Sequence, residues 1–196
     1  MQQYYSMKLK FEELKYQEEA INSIVRLFKG QGKNPFGSSY NHEIQTNVSS
    51  LTKAEINANK NDIINKNGIE HAHVSDDNEY CIEMETGTGK TLVYIRTIYE
   101  LYKTYGFSRF IILVPSIAIK EGVIKTFDTF EQQLENIYGF SPKYFTYDSK
   151  KLNDVRHFIQ DTQPQVMIMT VQSFSTDERI INQDKRDDSF LGLSYL

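Results

Sequence analysis

The sequence has a single cysteine, Cys81, in 196 residues. No internal disulfide can form, and the thiol content fits a reducing cytoplasm. Basic residues are not in excess: 22 Lys and Arg stand against 26 Asp and Glu, for a net charge of −4. That balance excludes a wholesale basic surface for nucleic acid but leaves room for a local basic groove. Nowhere is there a run of about 18 apolar residues, the length a membrane-spanning helix needs. The N-terminal MQQYYSMKLKF also lacks the apolar stretch of a secretory signal. What is present is core material: 39% hydrophobic residues, with 12 Phe and 13 Tyr. Global disorder is excluded on that composition, and the length suits one domain or slightly more.

Periodicity divides the chain into three stretches. In 1–30, Ala20, Ile21, Ile24, Val25 and Phe28 recur at helical spacing and predict an amphipathic helix over 12–29, ended by Gly30 and Gly32. Residues 31–78 hold nine Asn and few large apolar residues. Asn, Ser and Gly compete with regular structure through local hydrogen bonds. This stretch reads as a surface insertion, open to mobility and helical around 52–66. From 79 to 196 strands and helices alternate. Strands are predicted at 80–84, 110–114, 143–147 and 166–169, and helices at 90–104, 117–136 and 150–160. The apolar run Phe110 to Val114 reads as a strand buried on both faces. This alternation predicts an α/β fold, a doubly wound parallel sheet with right-handed crossovers. Ligands of such sheets bind beyond the carboxyl ends of the strands, here the loops after Met84, Val114, Tyr147 and Met169.

The strongest chemical signal is Glu85-Thr86-Gly87-Thr88-Gly89-Lys90-Thr91, set between a predicted strand and a predicted helix. Gly87 and Gly89 allow a tight turn that aims amide N–H groups at an anion. The following helix start adds about half a positive charge. Lys90 supplies a point charge for β- and γ-phosphates, and the Thr91 hydroxyl suits a Mg²⁺ ligand. The general pattern has Gly six positions before the Lys, where this chain has Met84.

With that departure the residues resemble a family. METGTGKT (84–91) is similar to motif I of superfamily 2 helicases and translocases, many of which open the motif with Met. LKYQEEAI (14–21) resembles the glutamine motif that reads adenine, with Gln17 in the matching position. ILVPSIAIKEG (112–122) resembles motif Ia, and MIMTVQSF (167–174) resembles motif Ib, with Thr170 and Gln172 matching. Together with YGFSRFIILVPSIAIKEGV, these phrases resemble the Res subunit of type III restriction enzymes over most of 9–175.

The resemblance implies a RecA-like P-loop NTPase fold and ATP with Mg²⁺ as cofactors. It implies Gln17 and Glu85 to Thr91 as the nucleotide site, with Lys90 and Thr91 the catalytic residues among them. Pro115, Ser116, Lys120, Thr170 and Gln172 would contact the backbone of double-stranded DNA. A Mod methyltransferase subunit would be the partner, and the bacterial cytoplasm the location.

Hydrolysis in that superfamily needs an acidic motif II at a strand end, whose Asp holds Mg²⁺ and whose Glu positions water. None is legible here. Asp148 follows an apolar run but reads as the cap of the next helix, and Asp177-Glu178 and Asp187-Asp188 follow no strand. The polar tail from Ser175 does not resemble a finished domain edge. The expectation is therefore an N-terminal piece of a first motor domain, cut before motif II, that binds nucleotide weakly and hydrolyses it poorly. Robust ATP turnover abolished by Lys90→Ala would contradict that.

The alternatives are another superfamily 2 enzyme (a type I restriction motor subunit, or a repair or RNA helicase), a P-loop switch protein, and a non-catalytic nucleotide-binding module. Among the remaining residues, His71, His73, Asp76 and Asp77 make a poor metal set, and Cys81 reads as a core thiol. His42 and His157 read as isolated surface residues.

Overall fold

A computed structural model describes residues 14–33, 46–70 and 79–174. Among these residues, five α-helices, three strands and a 3-10 turn follow in the order α1 (Lys15–Leu27), α2 (Lys53–Lys66), α3 (Lys90–Tyr105), β1 (Arg109–Val114), α4 (Ile117–Tyr138), β2 (Lys143–Thr146), α5 (Leu152–Gln160), β3 (Gln165–Thr170) and the turn Val171–Phe174. All three strands are parallel, in the order β1-β3-β2. Gly106 and Gly139, both in the left-handed region, end α3 and α4.

The central strand β3 shows how alternation builds the two layers. Val166 and Ile168 face α3 and α4, where they pack with Ile95, Ile98, Tyr99, Val123, Phe127 and Leu134. Met167 and Met169 face the other way, against Val155, Phe158 and Ile159 of α5. Each fully buried side chain of this size contributes about 1.5–3 kcal/mol relative to exposure.

The helix expected around 52–66 is α2. Its start is closed by a capping box in which Thr52 and Glu55 exchange hydrogen bonds. None of its residues is buried. It is tied to α1 by the Asn59 amide, which donates to the Leu27 and Lys29 carbonyls at 3.0 and 2.9 Å.

Several expectations are overturned. Residues 80–84 form no strand, and Cys81 is exposed, not a core thiol. A strand requires a neighbour for its ladder, and local β-propensity cannot supply one. On one side β1 is paired with β3. At its start the Asn47 side chain takes the Ser108 and Arg109 N–H groups. Residues 79–85 instead line a cavity of about 960 Å³ together with α1 and α2. The expected burial of β1 on both faces also fails: Ile111 and Leu113 are 43% and 50% exposed, because α5 reaches only the β3 and β2 side of that face. Asp148 is not the cap of α5, whose N-cap is Lys151. It accepts from the Lys150 N–H within the preceding turn. His157 is exposed as expected, while His42, His71, His73, Asp76, Asp77 and the acidic pairs of the tail lie outside the described residues.

A polar cluster joins the amino ends of the strands. The buried Arg109 guanidinium donates to the carbonyls of Ser108, Gln163 and Asp161. Burial lowers its pKa to about 10, so it stays charged at neutral pH. Asp161 accepts from Lys143 at 2.9 Å and from Gln165 at 2.8 Å. Partial burial pushes the Asp161 pKa up, but the Gln163 N–H, Lys143 and Arg109 outweigh it and the net shift is downward from 3.8. A depressed carboxylate stabilises the fold fully above its unfolded pKa and loses that contribution as pH falls through the folded one. Urea unfolding of wild type and Asp161→Asn is therefore expected to show a gap in stability at pH 6 that closes below about pH 3. A gap of constant size would assign the stabilisation to hydrogen-bond geometry rather than to charge.

Candidate functional site

The loop before α3 has the backbone its glycines were expected to give. Gly87 and Gly89 have φ of +83° and +84°, a region that costs other residues about 1–2 kcal/mol. Gly89 is the N-cap of α3 and leaves the helix start without a side-chain cap. The first N–H groups of a helix have no intrahelical acceptor, and with the helix dipole they favour an anion. Space exists for one: Glu85, Thr86 and Gly87 are exposed, and a Cβ built on Gly87 would meet nothing within 4 Å.

The Lys90 ammonium turns back over this loop. Its Nζ donates to the Met84 and Glu85 carbonyls, both at 2.7 Å, and an ammonium carries three donors. The Thr88 hydroxyl donates to the same Glu85 carbonyl at 2.6 Å. Glu85 thus serves the loop through its backbone. Thr91 lies in the first turn of α3 beside the Tyr94 hydroxyl, whose pKa is raised by burial and pulled the other way by Thr91.

Helix α1 reaches the loop from outside. Gln17, buried, donates from Nε2 to the Thr88 carbonyl at 2.9 Å, and the Tyr16 hydroxyl donates to the same oxygen at 3.2 Å. A Cβ on Gly89 would stand 2.7 Å from Gln17 Nε2. Gly89→Ala therefore combines left-handed backbone strain with expulsion of the amide from Thr88. It is expected to lower thermal stability by about 1–3 kcal/mol and to impair any anion binding at the loop. Calorimetry and ligand titration of the variant check this, and wild-type behaviour in both would show that the loop tolerates a side chain there.

A second group gathers at the carboxyl ends of β1 and β3, where Val114 and Thr170 are paired in register. Gln172 Nε2 donates to the Pro115 carbonyl at 3.1 Å. The Ser116 hydroxyl caps α4 by accepting from the Ile119 N–H at 3.3 Å. One turn on, Lys120 lies 3.9 Å from the Glu121 carboxylate. The fold thus brings the Pro115 to Lys120 turn beside Thr170 and Gln172. Exposed Ile117, Ile119 and Val171 border them. Among the described residues no group of three or more His, Cys, Asp or Glu can hold a metal ion, and no helix is long and apolar enough to cross a membrane.

Residues 10–193 match the ResIII family, the res subunit of type III restriction enzymes. The chain belongs to this family. Its three-stranded parallel sheet between helices is a partial RecA-like helicase domain. Among curated proteins, the EcoPI Res subunit of Escherichia phage P1 is 35% identical over 106 residues, 52% of this chain and 11% of that protein. The EcoP15I Res subunit of Escherichia coli is 37% identical over 90 residues, covering 43% and 9%. The StyLTI Res subunit of Salmonella typhimurium is 34% identical over 116 residues, covering 59% and 9%. The chain spans about a tenth of the length of these relatives.

The sequence singled out Gln17 with its neighbour Tyr16, which shares its acceptor, but left Arg96 unnoticed; Arg96, buried on α3, lies beside α1. The available signal for Arg96 was a cation inside the apolar run Ile95, Ile98, Tyr99.

Proposed function

We propose that this chain is the nucleotide-binding part of an ATP-dependent DNA translocase motor belonging to a type III restriction endonuclease. The observation that carries the proposal is the open loop from Met84 to Thr91. Its lysine is fixed over the mouth by two carbonyls, and an uncapped helix start stands behind it. Backbone N–H groups of Thr86 to Lys90 would surround the phosphates, and Lys90 would offer its remaining donor to them. Thr91 would hold Mg²⁺, which supplies charge neutralisation on the phosphates. The side chain of Gln17 has a second N–H and a carbonyl beyond its bond to Thr88, and these suit the edge of adenine.

Pro115, Ser116, Lys120, Thr170 and Gln172 would face the DNA backbone. They combine hydroxyl, amide, ammonium and helix N-terminus at one sheet edge, the mixture that positions phosphates. A Mod subunit would be the partner, since the relatives are Res subunits of restriction-modification enzymes. Among the described residues no strand ends in an acidic pair, so slow turnover by this chain is part of the proposal. The same observation favours, as a second reading, a nucleotide-binding module without catalysis. Titration of the whole chain with ATP, with and without Mg²⁺, alongside Lys90→Ala tests the proposal. Saturable binding lost in the variant is expected, and equal affinity in both would overturn it.

A further inference from the structure

Helices α1 and α3 run side by side in the same direction. Gln17 meets Thr88 and Gly89, Glu18 meets Arg96, and the Val25 carbonyl accepts from the Tyr105 hydroxyl at 2.9 Å. Ile24 and Val25 of α1, with Phe28 at its end, pack against Leu101 and Tyr105 of α3. Apolar packing is not directional, and a slip of one residue moves a helix by about 1.5 Å. A slip of that size would break a hydrogen bond of 2.9 Å. The Tyr16 and Gln17 bonds to Thr88 resist such a slip, and a charge contact one residue on would reinforce them.

Arg96 is placed to do so. Its side chain is 6% exposed, and its Nη2 lies 3.9 Å from Glu18 Oε1, one residue beyond Gln17. A buried guanidinium is costly unless anionic and polar groups meet it, so it holds the carboxylate it has. Arg96 also interacts with the Tyr138 hydroxyl at the end of α4. Burial raises that hydroxyl's pKa to about 12, with Arg96 pulling the other way and Glu100 adding to the rise.

We infer that Arg96 is a positioning residue for the phosphate loop: it fixes Glu18, and through Glu18 the turn of α1 from which Tyr16 and Gln17 hold the Thr88 carbonyl. The substrate need not touch it. Its effect on the loop passes through two neighbouring residues of α1.

The first test uses the free chain and does not depend on the nucleotide reading. In an NMR spectrum the Gln17 side-chain amide, assigned by its loss in Gln17→Ala, should show the split proton shifts of an amide with one N–H bonded. Arg96→Met and Glu18→Gln are each expected to collapse that splitting toward the value of a free glutamine, and Arg96→Lys to keep part of it. An unchanged Gln17 signal in a folded Glu18→Gln chain would overturn the inference. Glu18 is 43% exposed, so that variant serves even where Arg96→Met fails to fold.

The second test rests on the proposed function. ATP affinity should fall in Gln17→Ala and in Arg96→Met, and the double variant should be no weaker than the worse single one, because contacts acting in series are not additive. Additive losses would overturn the inference. If wild type binds no ATP, the proposed function fails while the amide signal still decides the role of Arg96.

Discussion

Lys90→Ala is expected to weaken Mg-ATP binding by roughly 10- to 150-fold while leaving the fold intact. Hydrogen bonds to charged groups are worth about 1.5–3 kcal/mol, and each 1.4 kcal/mol is a factor of ten. The wild-type ammonium is held by the Met84 and Glu85 carbonyls, so little ordering entropy remains to be lost when an anion arrives. In the variant those two carbonyls, at an exposed loop, turn to water at small cost, and the core residues of α3 are untouched. Thermal unfolding should therefore shift little. Because the site is open, the wild-type affinity should also fall as salt rises, and the gap between the two proteins should narrow. Titration calorimetry at low and high salt reads both effects.

Phe158→Ala is expected to cost about 3–5 kcal/mol of stability, the range for deleting a buried aromatic side chain. Whole domains are stable by only about 5–15 kcal/mol, so this one change can consume most of the margin. The location makes the effect large. Helix α5 has nine residues and covers its face of the sheet through Val155, Phe158 and Ile159. Phe158 is fully buried, meets Phe145 edge to face at 5.9 Å, and lies under the Arg109 guanidinium at 5.9 Å from its ring centre. Truncation leaves a cavity against Met167 and Met169 and removes a neighbour of a buried cation. Urea unfolding is the measurement, with Ile117→Ala as its control. Ile117 is 67% exposed and should change stability by less than about 0.5 kcal/mol. A Phe158→Ala chain within 1 kcal/mol of wild type would mean that α5 contributes little to the fold.

These two residues also show what a linear reading can reach. The loop around Lys90 was legible because its chemistry is local: glycines at fixed offsets, a lysine, a hydroxyl and a helical period directly after. The helices α3 and α4 were legible for the same reason, since apolar spacing lies within each segment and Gly106 closes the first. Pro115, Ser116, Thr170 and Gln172 were picked out by the resemblance, and the pairing of β1 with β3 brings them together, because parallel neighbours end at the same edge. The stretch 80–84 failed for the opposite reason. It has the composition of a strand, but a strand exists only if another segment offers it a ladder, and that is decided elsewhere in the chain.

The sequence by itself determined the helices, the parallel strands that alternate with them from β1 onward, and the glycine-rich loop before α3. Each depends on forces that act over a few residues: backbone sterics, local hydrogen bonds and side-chain period. Only the tertiary structure decided that Ile111 and Leu113 stay exposed, that Arg109 and Arg96 are buried, and that Tyr16 and Gln17 brace Thr88. Burial and cross-chain hydrogen bonds are properties of what packs alongside, and residues 71 positions apart meet only once the whole domain has closed.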